Sequence, residues 1–467
     1  MSKFLWKGEQ VIGIINGHGP SDWSASGVSI DTRTLKKGDI FFALAGPNYD
    51  GHQFISSAIK KGASIVISNA PSLAFKDKVI IVSDVFNALI SLGRFSRKRN
   101  KGKIIAITGS SGKTTVKEML ALSLSKSGKI HYSEASYNNK IGVSLSLSRM
   151  PIDSDFSIFE LGMNNAGEIS YLSNLVEPHI ALINNTGNAH IGNLNSKKEI
   201  EKAKMEIVSG ITSNGKLIIN ENISLSSYPK KLFENKNLKI LKFGYKKNSN
   251  FILEKYLYSS GLSLIDATIN RANISYSLKA PGSHMAMNSI AVIGVCFLLG
   301  VSPDVSKQTI SNFESMDGRG KIHDLSIMGK KIEVIDESYN ANPESTKSSI
   351  NLLSEIDFLK SKRKILVFGD MLELGNFSKE MHIEIASFIN ESDVDLVFCI
   401  GSEIKNLWDN LILSKRGYHS IDPEILISSL KNKLKENDLV LIKGSSKSGI
   451  KIIFNALMEE QLNRNIA

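Results

Sequence analysis

The chain has 467 residues, which is too long for one ordinary hydrophobic core and suggests about three domains. A hydrophobic fraction of 42% and a charged fraction of 22% are those of a soluble globular protein. The formal net charge is +11, yet Lys and Arg are scattered, as in Arg97–Lys103 and Lys230–Lys247, with no basic stripe interleaved with aromatics. Nothing therefore demands nucleic acid; a solvated basic surface is the plainer reading, and a positive field suits polyanionic small molecules.

The two cysteines, Cys296 and Cys399, sit in apolar runs and read as buried thiols, neither a disulfide nor metal ligands. The stretch MSKFLWKGEQ lacks the apolar core of a signal peptide, and the longest apolar run, near Ile290–Val301, is too short to span a bilayer. The expectation is a cytoplasmic protein without membrane insertion. It is also a monomer, because no heptad or interface stripe is visible.

Residues 1–100 mix short strands with turn signals. Strands are expected at Asp39–Leu44, Ala63–Ser68 and Val79–Val82, and a helix at Phe54–Lys61. An amphipathic helix over Asp84–Arg99 runs into a basic stretch, RKRNKGK, that reads as a linker. Residues 101–317 alternate apolar runs (Ile104–Ile107, Phe156–Leu161, Ile180–Asn184) with helical stretches, the rhythm of βαβ units on a parallel sheet. Between Phe251 and Ala280 the pattern alternates, which predicts an antiparallel hairpin ahead of a helix at Met285–Leu299. Residues 318–467 repeat the βα rhythm, with strands at Ile365–Gly369, Leu396–Gly401 and Leu439–Gly444 each ending in glycine. The expected architecture is α/β in three domains: a small mixed N-terminal domain, a central P-loop domain on a parallel sheet, and a C-terminal Rossmann-like domain. Open sheets of this kind place ligands at the carboxyl ends of their strands.

The most informative stretch is KIIAITGSSGKTTV at 103–116. A buried strand runs into Gly109-Ser110-Ser111-Gly112-Lys113-Thr114-Thr115 and then into a helix, the context a phosphate-binding loop requires. The usual first glycine of that motif falls at Ile107, so this is the shorter G-x-x-G-K-T-T form. Gly109 and Gly112 let backbone N–H groups turn toward an anion, and the helix start adds partial positive charge. Lys113 then reaches the β- and γ-phosphates of a nucleoside triphosphate, and the Thr114 hydroxyl can ligate Mg²⁺.

Other residues are chemical by position. Glu160 ends a buried strand, where a carboxylate of a P-loop protein commonly faces the metal. His190 follows the next strand and reaches the same crevice; alone it is a weak signal. Lys204 lies mid-helix in EIEKAKMEI, where spacing alone favours a solvated lysine. Asn138-Asn139 occupies a turn before a helix and can serve as a polar ligand loop. Arg319 follows Gly318 at the second domain junction and can bridge to nucleotide across it. The run from Asp336 to Pro343 is a dense polar cluster after a strand.

TGSSGKTT (108–115), NNKIGV (138–143), ELGMNNAGEI (160–169), NNTGNAH (184–190), AKMEI (203–207), GSHMAMN (282–288) and GRG (318–320), in this order, resemble the Mur ligases, ATP-dependent amide-bond-forming enzymes of peptidoglycan synthesis. ESYNANPES (337–345) and FGDMLELG (368–375) with His382 resemble the branch that joins D-alanyl-D-alanine to UDP-N-acetylmuramoyl-tripeptide. The N-terminal Asp31-Thr32-Arg33 and GPNYDGHQF (46–54) resemble that branch's uridine-nucleotide-binding domain.

The resemblance implies roles that spacing does not supply. Lys113, His190 and Lys204 become catalytic. Thr114, Glu160, His190 and Lys204 become ligands of two Mg²⁺ ions, with Lys204 carbamylated so that a cation becomes an anion. Asn288, Arg319 and Asn340 fall where the family contacts ATP. Asp31, Thr32, Arg33, Gly46, Asp50, Gly51 and His52 fall where it holds the UDP end. The chain departs from the family at Lys443-Gly444-Ser445, which is followed by Ser446 and Lys447 where Arg is common. The competing readings are another amide ligase of the superfamily and a nucleotide-binding protein without the chemistry.

Overall fold

A computed structural model describes residues 4–46, 49–71, 73–189, 191–225, 228, 230–357 and 361–466. The N-terminal sheet has four parallel strands in the order Gly27–Ser29, Asp39–Phe42, Ile65–Ser68 and Val79–Ile81. Every residue of the two central strands is buried, as a parallel sheet covered on both faces requires. A two-stranded ribbon, Trp6–Lys7 with Ser24–Ala25, and the helices Gly8–Ile15 and Ile55–Lys60 complete this part.

The basic stretch expected as a linker is helical over its first three residues. The helix Val85–Arg99 starts at Asp84, whose carboxylate accepts from Asn87 N, and continues through the first three linker residues. Arg97 falls one turn beyond Gly93 and two beyond Leu89, on the buried stripe, and is itself buried. Its guanidinium donates to Val176 O and Glu177 O, both at 2.7 Å. Those carbonyls end the helix Glu168–Val176, the negative pole of that helix, so the buried cation is satisfied. Burial lowers the Arg97 pKa, and Glu177 opposes the shift. Trp6 Nε1 donating to Ser148 O at 3.0 Å and Arg149 Nε donating to Val28 O at 2.6 Å tie the same two sheets together.

The central sheet has nine strands. Six run parallel in the order Ile130–Tyr132, Phe156–Glu160, Lys103–Thr108, Ile180–Ile183, Lys216–Asn220 and Lys239–Gly244, and a seventh, Phe251–Ser259, pairs parallel with the last of them. The alternating stretch beyond them is a three-stranded meander, not the expected hairpin: Phe251–Ser259, Leu262–Ile269 and Ala272–Leu278. Its two tight turns explain the extra strand. Ser260 and Gly261 (φ 52° and 78°) and Asn270 and Arg271 (φ 48° and 75°) supply the paired left-handed residues that match strand twist. The helix Ser283–Leu298 packs on this sheet and carries the buried Cys296.

The C-terminal sheet has six strands, in the order Lys321–Ile327, Lys330–Glu337, Leu439–Lys443, Lys364–Gly369, Leu396–Ile400 and Arg416–Ser420. The first pairs antiparallel and the rest run parallel. Cys399 is buried in its fifth strand. One continuous apolar cluster joins this sheet to the central one, with Ile183 and Ile191 at one side and Met371 and Leu374 at the other. Among the described residues no helix is long and apolar enough to cross a membrane.

Candidate active site

Strand order puts three chemistry-bearing ends side by side. Lys103–Thr108 lies between Phe156–Glu160 and Ile180–Ile183, so the loop 109–115, Glu160 and Asn184 emerge at the same carboxyl edge. Gly112 has φ 75°, and a Cβ there would lie 2.6 Å from Asn184 Nδ2; the turn needs glycine for both reasons. Loop and neighbouring strand end interlock. Ser110 N donates to Asn185 O (3.1 Å), Ser111 N to Asn185 Oδ1 (2.9 Å), and Asn184 Nδ2 to Ser111 O (3.2 Å) and Asn288 Oδ1 (2.9 Å).

Lys113 opens the helix Lys113–Leu124, and its ammonium donates to Gly109 O at 2.8 Å. Burial lowers its pKa, the Glu160 carboxylate opposes this, and Arg319 adds to it. Glu160 is 2% exposed, a buried carboxylate that must be satisfied. It accepts from Thr114 Oγ1 through Oε2 and from Asn138 Nδ2 through Oε1, each at 2.8 Å. A hydroxyl and a carboxylate oxygen side by side are hard ligands, the donor set Mg²⁺ prefers, so these residues fit that ion. Asn138, expected as a ligand in its own right, is turned onto Glu160.

Arg319 reaches from the C-terminal part onto the loop, donating through Nη2 to Thr114 Oγ1 at 3.2 Å while its guanidinium lies 3.8 Å over the Tyr339 ring. The polar cluster after Lys330–Glu337 aims it. Asp336, 2% exposed, accepts from Gly318 N at 2.7 Å and from Ser338 Oγ at 2.6 Å. Tyr339 Oη donates to Ser136 Oγ at 3.0 Å, and Ser136 Oγ lies 3.1 Å from Thr114 Oγ1. Lys443, 1% exposed, donates to Glu337 Oε2 (3.3 Å) and Asn340 O (3.1 Å), and burial lowers its pKa. These groups enclose a cavity of about 460 Å³ whose walls include Ser110, Ser111, Lys113–Thr115, Glu160, Asn288, Arg319 and Asn340.

Lys204 is not solvated. It sits in the last turn of the helix Lys197–Met205, 2% exposed. Burial, and secondarily the Lys113 charge, hold its pKa well below the usual ammonium value. His190 lies outside the described residues. The uridine-motif residues lie apart from the cavity, in loops that follow two neighbouring parallel strands of the N-terminal sheet. Arg33 Nη2 pairs with Asp31 Oδ2 at 2.6 Å, Lys61 donates to Thr32 O at 2.7 Å, and Gly51 N donates to Leu44 O at 2.8 Å. Gly46 N donates to Tyr49 O at 2.8 Å, and Asp50 Oδ1 accepts from His52 N at 3.0 Å. Pro47 and Asn48 of that motif lie outside the described residues.

Two site residues escaped the sequence. Ser136 bridges Thr114 and Tyr339 across the domain gap. Lys117 is fully buried and donates to Ser133 O (2.5 Å) and Ala135 O (3.2 Å), fixing the chain just before Ser136. Its place one turn after Lys113 and one before Ala121, on the buried face, was the available signal. His382 of the FGDMLELG region is a fully buried strut: Nδ1 donates to Ser378 O at 2.7 Å and Nε2 accepts from Met371 N at 3.2 Å.

Family models match along the chain: the "Mur ligase family, catalytic domain" over 24–94, the "Mur ligase middle domain" over 107–296, and the "Mur ligase, glutamate ligase domain" over 318–446. The chain is 34% identical to the UDP-N-acetylmuramoyl-tripeptide--D-alanyl-D-alanine ligase of Rickettsia prowazekii (strain Madrid E), over 91% of this chain and 93% of that one. The chain belongs to the Mur ligase family. The ligase of the same name from Escherichia coli (strain K12) is 30% identical over 96% of this Mur ligase and 98% of its own length. The solved structure of MurF from Acinetobacter baumannii superposes with a TM-score of 0.86 at 26% identity, covering 98% of this chain and all (100%) of that one. MurF ligase from Thermotoga maritima in complex with ADP gives a TM-score of 0.79 at 25% identity, over 94% and 98% of the two chains. Mur ligases are ATP-dependent amide ligases, and the three-domain α/β architecture expected of this sequence is theirs.

Proposed function

We propose that this Mur ligase joins D-alanyl-D-alanine to UDP-N-acetylmuramoyl-tripeptide at the expense of ATP, in peptidoglycan precursor synthesis, and does so as a cytoplasmic monomer. The observation that carries this reading is the meeting of Lys113, Thr114 and Glu160 of the central sheet with Arg319 and Lys443 of the C-terminal sheet around one polar cavity. Three cations, Lys113, Arg319 and Lys443, stand among four carboxylates, Glu160, Glu337, Glu344 and Glu373, in its wall; the cations suit a triphosphate and the charge that moves between its phosphates.

In this reading the tripeptide carboxylate attacks the γ-phosphorus and ADP leaves with the bridging oxygen, because a bare carboxylate has no good leaving group and an acyl phosphate has one. The amine of the dipeptide then expels phosphate. Lys113 and Arg319 neutralise charge on the transferring group, and backbone N–H groups of Gly112–Thr115 cradle the phosphates. Glu160 and Thr114, with His190 and a carbamylated Lys204, would hold two Mg²⁺. Bound there, the ions would screen the repulsion between the carboxylate and the γ-phosphate. Burial lowers the Lys204 pKa and so favours the neutral amine, the form that combines with carbon dioxide. The Asp31–Arg33 and Gly46–His52 loops would hold the uridine end, and the C-terminal domain the dipeptide. The units are 1–100, 101–317 and 318–467.

The test is phosphate release with ATP, Mg²⁺ and UDP-N-acetylmuramoyl-tripeptide, with and without D-alanyl-D-alanine. Release that needs both, with a pentapeptide product by mass, is expected. Release with a single amino acid in place of the dipeptide would move the chain to another ligase step.

A further inference from the structure

The helix Pro343–Ile356 of the C-terminal part carries a glutamate near each end, and both reach into the central part. Glu344 Oε1 accepts from Asn188 N at 2.8 Å. Glu355 accepts from Ser283 N (2.8 Å) and Ser283 Oγ (2.6 Å), at the start of the helix that carries Asn288. Eleven residues separate the two, about 16 Å along a helix.

Each contact continues to the phosphate loop. From Glu344 the path runs through Asn188 to Gly187, whose N donates to Ser110 Oγ at 2.8 Å, and Ser110 Oγ donates back to Gly187 O at 3.2 Å. From Glu355 it runs along the helix to Asn288, then to Asn184 and the Ser111 carbonyl. The fit at the first contact is close. A Cβ built on Gly187 would lie 2.4 Å from Glu344 Cδ and 2.6 Å from its Oε2, and the three nearest atoms all belong to Glu344. Gly187 is not among the residues with positive φ, so its backbone does not by itself demand glycine. Glu344 Oε2 is buried with no hydrogen-bond partner among the described residues. A carboxylate held this way costs stability and persists only if its placement matters elsewhere.

We propose that Glu344 and Glu355 form a two-point latch that closes the C-terminal domain and, through Gly187 and Asn288, sets the phosphate loop in register. They are positioning residues, and this role rests on the ligase reading given above. Glu344 is the critical point, because its contact is two hydrogen bonds from Ser110.

The test is a cycle with the full chain. In the ligase assay, Glu344→Ala should lower kcat about 10- to 100-fold, the range for a misplaced site, with a smaller change in the KM for ATP. Glu344→Gln keeps an acceptor for Asn188 N and should stay closer to wild type than to the alanine variant. Gly187→Ala should be as damaging as Glu344→Ala, yet add less than about threefold once Glu344 is already alanine, because the clash is gone. Small-angle scattering with ADP should give a larger radius of gyration for Glu344→Ala than for wild type. Turnover of Glu344→Ala within about threefold of wild type overturns the latch, as does Gly187→Ala causing the same loss in both backgrounds. A wild-type chain that releases no phosphate would instead reject the ligase reading, and the scattering comparison would still decide the latch. Should Glu344→Ala fail to fold, Gly187→Ala and Glu344→Gln carry the same contrast.

Discussion

Glu160→Gln separates what the buried carboxylate does for folding from what it does for chemistry. The amide has the same shape, and the Thr114 hydroxyl can reverse to suit it. Asn138 Nδ2 keeps the amide oxygen, and the Thr114 hydroxyl hydrogen loses its acceptor, at a cost of about 1–3 kcal/mol. Removing a charge from a site 2% exposed offsets that cost, so net stability should change by less than about 2 kcal/mol. Chemistry has no such offset. The variant loses the only carboxylate bonded to Thr114 and the charge that raises the Lys113 pKa. Loss of one group that stabilises transferring charge costs about 10²–10³-fold in kcat, or about 3–4 kcal/mol. The alkaline limb of the pH–rate profile should also move to lower pH, because Lys113 loses its proton more easily without Glu160. Phosphate release and a thermal melt on the same preparation measure both effects. A kcat within threefold of wild type would refute the reasoning, and so would a melting loss large enough to account for the drop in rate.

Two further outcomes are expected. Lys204, whose pKa burial lowers, should take up labelled carbon from bicarbonate as a carbamate; the resonance should vanish in Lys204→Gln along with activity, and a wild type with full activity and no carbamate would reject the assignment. His131 is half-buried, its Nε2 bonds to Ser146 O at 2.7 Å, and desolvation lowers its pKa from 6.5 to about 4. The unfolded chain therefore takes the proton first, and stability is full above about pH 6.5 and falls toward pH 4, by about 3 kcal/mol for this group. His131→Gln should flatten that part of a denaturation-versus-pH curve, and an unchanged slope would show that other groups govern it.

The phosphate loop was legible because it needs only local sequence: a short apolar strand, two glycines, and Lys-Thr-Thr at a helix start. Glu160 was legible for a related reason, since its run of apolar residues ends on a carboxylate. The meander was half legible. Alternation marked the strands, but the left-handed Asn270-Arg271 turn, with no glycine, hid the second reversal. Arg97 was misread because charge near glycine resembles a linker, whereas the helical stripe from Leu89 through Gly93 makes it interior. Ser136 and Glu344 were invisible as site residues. Each acts on a partner far away in sequence, and only the approach of two domains gives a serine or a glutamate that meaning. Lys204 is the reverse case: its spacing points to solvent, and burial comes from the packing of Ile200 and Ala203 beside it.

The ties from Trp6, Arg97 and Arg149 make a rigid gauge of the first two sheets. The loop that carries Asp31 and the loop that carries Lys113 ride on one frame, with two buried or half-buried guanidinium groups and an indole bolting it. A molecule gripped by both loops would be measured as well as held, because the shared frame fixes its span. A chain one residue too short would leave its reactive end outside the reach of Lys113, however well its other end were bound.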